Sequence, residues 1–215
     1  MALPPVTLTP MIGAPDPQET ARQISMRIQR AEAERRAAPA WLWAWGGDAA
    51  EGSLLLGKAM AAFPEYRFDI LGSDALAVPR IDQRPESGVR HLGPLRELSR
   101  LDGSAYSGIV LAGDVELAAA VAARAALLGL PVVAPATEEL LETMGEGGAC
   151  WYRWTPSDLL AEVGEQPGKA VAALAALGGQ ELERMLLAAA DTVVSWSEYP
   201  ASGRALDELF GGSLD

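Results

Sequence analysis

The chain has 215 residues, which suits a single domain, and 49% of them are hydrophobic, which excludes a disordered chain. The formal net charge is −12, and no basic cluster exists beyond the arginines of residues 27–36. Nucleic-acid binding is therefore disfavoured, because polyphosphate backbones are bound by clustered lysine and arginine. The single histidine, His91, argues against histidine-based metal sites and catalytic triads.

The N-terminus has no cationic segment followed by a long apolar run, so we expect no secretion signal and a cytoplasmic location. A single cysteine, Cys150, cannot form an internal disulfide, which agrees with a reducing compartment. The most apolar stretch, 117–134, contains Arg124, Gly129 and Pro131. These residues predict a helix, a turn and a strand, and not a transmembrane segment.

The first 40 residues differ from the rest of the chain. Prolines keep the start extended, and residues 17–38 predict a polar, weakly amphipathic helix. This region is either a solvated arm or the end of an interdomain connection. We therefore divide the chain into an N-terminal arm (1–40), a main domain (41–200), and a terminal helix with a tail (201–215).

Short apolar strands then alternate with helices. In chain order, the patterns predict strands at 41–45, 67–71, 89–92, 108–112, 130–134 and 149–152. Helices are predicted at 53–63, 95–101, 115–128, 138–144, 169–177, 180–194 and 201–210, and another begins near Pro156. This alternation predicts an open α/β fold with a mostly parallel, Rossmann-like sheet of about six strands and helices on both faces. Ligands of such sheets bind beyond the C-terminal ends of the strands.

Three tryptophans alternate along the first predicted strand and therefore face one side of the sheet: Trp41, Trp43 and Trp45. They either pack beneath helices or form a contact surface for a neighbouring domain, since tryptophan is common among interface anchors. His91, at a strand end, is expected to be a partly buried structural residue. Cys150 is expected to lie in the core.

A glutamate, Glu116, lies fifteen residues before the proline of a Gly-Leu-Pro-Val turn at 129–132. A short strand at 89–93 ends in Leu-Gly, a Glu-Glu-Leu-Leu helix at 138–141 precedes a glycine-rich turn, and Trp196 precedes the last helix. In this order and spacing, residues 40–210 resemble the C-terminal, donor-binding domain of GT-B glycosyltransferases of the retaining group 1.

The resemblance implies a glycosyltransferase domain that binds a nucleotide sugar, with no cofactor and no metal. Free N–H groups at the start of the helix after strand 108–112 would support the donor diphosphate. The candidate donor contacts are Gly46, Gly47, Gly113, Asp114, Glu116 and Arg124. The family's acceptor-side residues lie in an N-terminal domain. The implied partners are therefore a nucleotide sugar and an acceptor-binding domain or partner protein, and the chain alone is not expected to be catalytically complete.

Several positions depart from the family pattern. Arg124 stands where the family has a second glutamate, and arginine has no acceptor for a ribose hydroxyl. Gly47 and Glu51 stand near the positions of a basic pair, and Asp48 and Glu51 place negative charge where a diphosphate would bind. These departures favour an alternative, a non-catalytic glycosyltransferase-like module that binds protein. An unrelated Rossmann-type enzyme is disfavoured because no Gly-x-Gly-x-x-Gly follows a strand.

Overall fold

The computed structural model describes residues 17–34, 40–46, 49–72, 89–93, 98, 103–113, 118–152 and 165–197. Within them a single sheet contains six strands, β1 (Ala40–Gly46), β2 (Arg67–Leu71), β3 (Val89–Gly93), β4 (Gly108–Gly113), β5 (Val132–Pro135) and β6 (Cys150–Tyr152). The strands lie in the order β3-β2-β1-β4-β5-β6, and every neighbouring pair is parallel. The predicted open, parallel sheet of about six strands is confirmed.

Helices cover both faces of this sheet. They are α1 (Pro17–Glu34), α2 (Ala49–Ala62), α3 (Ala118–Leu127), α4 (Glu138–Met144), α5 (Glu165–Ala176) and α6 (Gly179–Ser197), with a 3-10 turn at Gly103–Ala105. Helix α5 begins four residues before the predicted start at Lys169. Pro167 lies in its first turn, where the missing N–H has no helical partner to lose. The predicted helices near Pro156 and at 201–210, and all of 95–101 except residue 98, lie outside the described residues.

The central strand β1 is buried on both faces, which explains its continuous apolar sequence. Leu42 and Ala44 belong to a core cluster with α3 and α4, on one face of the sheet. Trp41, Trp43 and Trp45 belong to a cluster with α2, α5 and α6 on the other face, hereafter the tryptophan cluster. All three indoles are buried, so of the two interpretations packing beneath helices is correct, and the indoles form no exposed contact surface.

Helix α1 packs on the domain, contrary to the idea of a solvated arm. Ile24 and Arg27, three residues apart on one helical face, are 3% and 1% exposed. The Arg27 guanidinium donates to the carbonyl of Gly103 at 2.9 Å, and that of Arg30 donates to Ala105 at 2.8 Å. The sequence pattern missed this face because a long arginine side chain, with its apolar stem, replaces a large apolar residue.

Candidate functional site

The strand order reverses between β1 and β4, which lie side by side at the centre of the sheet. From β1 the chain adds β2 and β3 on one side, and it then returns to add β4, β5 and β6 on the other side. After β1 the chain enters α2, whose Leu56 and Ala59 pack in the tryptophan cluster. After β4 it enters α3, whose Ala122 and Ala126 pack on the opposite face. Because the two connections leave toward opposite faces, they open a crevice beyond the C-terminal ends of β1 and β4. Doubly wound sheets bind ligands in this crevice.

Two of the predicted contacts meet at this crevice. Gly46, the last residue of β1, is in register with Gly113, the last residue of β4. Neither residue carries a Cβ, so a ligand can approach the backbone of both strands closely at this point. The preceding pair, Trp45 and Ala112, is buried and forms the floor below them.

Two helix N-termini begin close to the same crevice. Helix α2 begins at Ala49, three residues after Gly46, and the described part of α3 begins at Ala118, five residues after Gly113. The first N–H groups of a helix have no intrahelical acceptor, and the helix dipole makes this end attractive to anions. Two N-termini beside one crevice favour a negatively charged ligand, such as a diphosphate.

The other predicted site residues are not brought to the crevice by the described part of the structure. Gly47, Asp114 and Glu116, together with Asp48, lie outside the described residues. Arg124 lies in the last turn of α3 and is half-buried. It is about 9 Å along the helix axis from Ala118, at 1.5 Å of rise per residue, and thus at the far end of α3 from the crevice.

A buried polar cluster that the sequence did not reveal is centred on Asp69, in the middle of β2. Asp69 is fully buried and accepts from the Arg90 guanidinium at 2.6 Å and from the Tyr106 hydroxyl at 3.0 Å. Burial, and then the hydrogen bond to Asp69, raise the pKa of Tyr106. Because Asp69 is the third residue of β2 and Tyr106 precedes β4, the cluster lies toward the N-terminal ends of the strands. We interpret it as structural.

The single histidine and the single cysteine have different surroundings. His91 is exposed on the edge strand β3, so the expectation that it is partly buried is wrong. Among the described strands, β3 has a neighbour on one side only, which is β2. Cys150 is half-buried against the tryptophan cluster, and burial raises the pKa of its thiol.

Among the described residues, no three histidine, cysteine, aspartate or glutamate residues are grouped so that they could hold a metal ion. None of the described helices is long and apolar enough to cross a membrane.

Solved structures of glycosyltransferases share this fold. The crystal structure of the pneumococcal O-GlcNAc transferase GtfA, in complex with UDP and GlcNAc, has a TM-score of 0.57 and 20% identity, over 82% of this chain and 37% of that one. WaaG, a glycosyltransferase involved in lipopolysaccharide biosynthesis, has a TM-score of 0.54 and 19% identity, over 95% of this chain and 56% of that one. The chain has the fold of a GT-B glycosyltransferase domain.

A third solved structure is also similar, and this chain covers only part of each of the three proteins. Sucrose-phosphate synthase from Thermosynechococcus elongatus has a TM-score of 0.56 and 19% identity, over 86% of this chain and 50% of that one. The chain thus spans 37–56% of the length of these three proteins. No model of a known protein family matches the sequence, and no curated protein matches it.

Proposed function

We propose that this chain is the nucleotide-sugar-binding domain of a glycosyltransferase, with the donor in the crevice between β1 and β4. The observation that carries the proposal is the reversal of strand order at Gly46 and Gly113, flanked by the N-termini of α2 and α3. The likeness to three glycosyltransferases supports it.

The donor has two parts with different requirements. Its diphosphate needs hydrogen-bond donors, which the backbone N–H groups of the two helix N-termini supply. Its ribose and sugar hydroxyls need acceptors, and the carboxylate of Glu116, two residues before Ala118, is our candidate. Asp114 is a second candidate acceptor. We leave Arg124 out of the proposed site because it lies at the far end of α3.

A second domain or partner protein would supply the acceptor site, because the chain spans about half of the length of the compared enzymes, or less. The sugar would then be transferred at the interface of the two. We propose the cytoplasm as the location, because one half-buried cysteine fits a reducing compartment.

The alternative of a non-catalytic, protein-binding module keeps its basis in the sequence departures at Gly47, Glu51 and Arg124. The three tryptophans do not provide a protein-binding surface for it, because Trp41, Trp43 and Trp45 are buried beneath helices. The donor-binding hypothesis is therefore preferred.

Calorimetric titration tests the proposal. The purified chain is titrated with UDP, GDP and their sugars, with and without Mg²⁺; UDP comes first because GtfA was crystallised with it. We expect micromolar binding of one nucleotide sugar. Glu116→Ala should weaken that binding at least about tenfold, since a hydrogen bond to a charged group is lost.

Glu183→Ala serves as the control, because Glu183 is an exposed acid on α6 and should leave the affinity unchanged. Absence of binding up to millimolar nucleotide sugar, from a folded sample, would contradict the donor site and favour the protein-binding module.

A further inference from the structure

The only two lysines of the chain line the same groove. Of its 17 basic residues, 15 are arginines and two are lysines, Lys58 and Lys169. They belong to different helices, α2 and α5, yet both border a groove of about 460 Å³ between these helices. This volume lies within the range of about 300–1,000 Å³ that is typical of small-molecule sites.

Apart from the lysines, the groove is apolar and has a fixed wall. Phe63, the residue after α2, and Ala172 of α5 line it. The Phe63 ring stacks on Tyr66 at 5.0 Å, and Tyr66 stacks in turn on the buried Trp41 at 6.1 Å. Stacking holds the Phe63 ring in place, so the apolar wall does not have to be ordered when a ligand binds.

A glycine keeps the groove open beside this wall. Gly168 lines the groove, and a Cβ at that position would lie 3.5 Å from Cε2 of Phe63. Any side chain larger than alanine at this position would therefore enter the space next to the aromatic ring.

The groove is separate from the crevice of the proposed donor site. Helix α2 begins after the C-terminal end of β1. Its last turns carry Lys58, and Phe63 follows the helix in the short connection to the start of β2 at Arg67. The groove therefore lies toward the N-terminal ends of the strands. Binding there and binding at Gly46 and Gly113 can be measured independently.

We propose that this groove binds an amphiphilic phosphate monoester, with the phosphate between Lys58 and Lys169 and the apolar chain along Phe63 and Ala172. A phosphate monoester carries about −1.5 to −2 charges at pH 7, which two ammonium groups match. In a chain of net charge −12, an anion is repelled except where cations are concentrated. Both lysines also interact with other groups of the chain, but each ammonium has three donors and retains capacity for a phosphate.

The scarcity of lysine provides a direct test. Reductive ¹³C-methylation of the full chain labels only Lys58, Lys169 and the terminal amine, and methylated lysines keep their charge. We titrate this sample with octyl phosphate below its micelle concentration and follow the signals by NMR. Both lysine signals should shift with one common Kd, while inorganic phosphate and octanol should bind at least about tenfold more weakly.

Paired variants locate the ligand. Ala172→Leu fills the groove and should weaken octyl phosphate binding at least about tenfold, since the apolar chain loses its space. Ala175→Leu, exposed on the same helix but outside the groove lining, should bind as the parent chain does. The variant K58Q/K169Q, followed by calorimetry, should lose binding, and Arg184→Gln, which removes an exposed charge on α6, should retain it.

Three results would overturn this proposal: no saturable shift of the two lysine signals, equal affinity for inorganic and octyl phosphate, or equal weakening by both leucine variants. A nucleotide-sugar titration on the same K58Q/K169Q sample separates the two sites. Unchanged nucleotide-sugar binding by that variant shows that it is folded, so its loss of octyl phosphate binding then belongs to the groove alone.

Discussion

Asp69 is a fully buried carboxylate whose partners differ in exposure. The side chains of Arg67 and Arg90 are 49% and 60% exposed, so solvent screens their ion pairs. The Tyr106 hydroxyl is buried, and Asp69 is the acceptor of its proton. Asp69→Ala should lower the free energy of unfolding by about 1–3 kcal/mol, because that hydroxyl then lacks an acceptor. Urea unfolding measures the change, with exposed Glu142→Ala as the control.

A double-mutant cycle shows whether the cost of Asp69→Ala arises from its hydrogen bond with Tyr106. If Tyr106→Phe is made first, Asp69→Ala should cost less than it does in the parent chain, because the hydroxyl that needed the acceptor is gone. Equal costs in the two backgrounds would show that Asp69 acts through its arginines or through packing.

Burial of Tyr152 should make the stability of the fold depend on pH. Its hydroxyl donates to the Leu111 carbonyl at 2.7 Å, and burial raises its pKa strongly. The unfolded chain loses this proton near pH 10 and the folded chain keeps it, so the contribution to stability is complete below pH 10 and falls as pH rises above it. Tyr152→Phe should lower stability at pH 7 by about 1 kcal/mol.

Denaturant unfolding at pH 7 and at pH 11 tests both parts of this prediction. The loss of stability between the two pH values should be smaller in Tyr152→Phe than in the parent chain. It should not vanish, because the pKa of Tyr66 and that of Tyr106 are raised by burial as well. An identical loss in both proteins would contradict the assigned role of Tyr152.

At the scale of elements, Gly129 lies in the connection between α3 and β5 and packs against the backbone of α1. It has a φ of +64°, and a Cβ there would lie 3.0 Å from the backbone of Gln23 in α1. Gly129→Ala should therefore destabilise the fold by about 1–3 kcal/mol, through a strained backbone conformation and displacement of α1. Gly57→Ala, in α2 with nothing within 4 Å of its Cβ, should stabilise by about 0.5–1 kcal/mol. Thermal unfolding of both variants compares them directly.

The sequence predicted strands and turns correctly where they depend on neighbouring residues in the chain. Turn glycines such as Gly129 and the apolar runs of β1 and β4 placed the strands correctly. It could not identify Asp69 or Arg27 as buried, because their partners, Tyr106, Arg90 and Gly103, are distant in sequence. Burial of such polar groups depends on tertiary contacts, which no local period reveals.

At the scale of the whole molecule, alternating strands and helices were sufficient to predict a parallel sheet, because crossovers are right-handed. The strand order was not predicted, and it is the order that puts Gly46 beside Gly113. The donor contacts stay a prediction, and of them the described part of the structure includes Gly46, Gly113 and Arg124. Arg124 is far from the crevice because it lies in the last turn of α3, and the spacing of a sequence motif does not show at which end of a helix a ligand binds.

Hydrogen exchange can decide whether helix α1, residues 17–34, is an integral part of the domain. If they are integral, as the burial of Ile24 and Arg27 indicates, amides of α1 and of β4 should exchange hydrogen with free energies within about 1–2 kcal/mol of each other. Arg27→Ala should lower the exchange free energies of the α1 amides and of the β4 amides together, because the hydrogen bond from Arg27 to Gly103 connects α1 to the turn before β4. Rapid exchange of α1 amides, with the exchange of β4 amides unchanged, would instead make α1 a separable arm, and the crevice between β1 and β4 would then belong to a domain that folds without it.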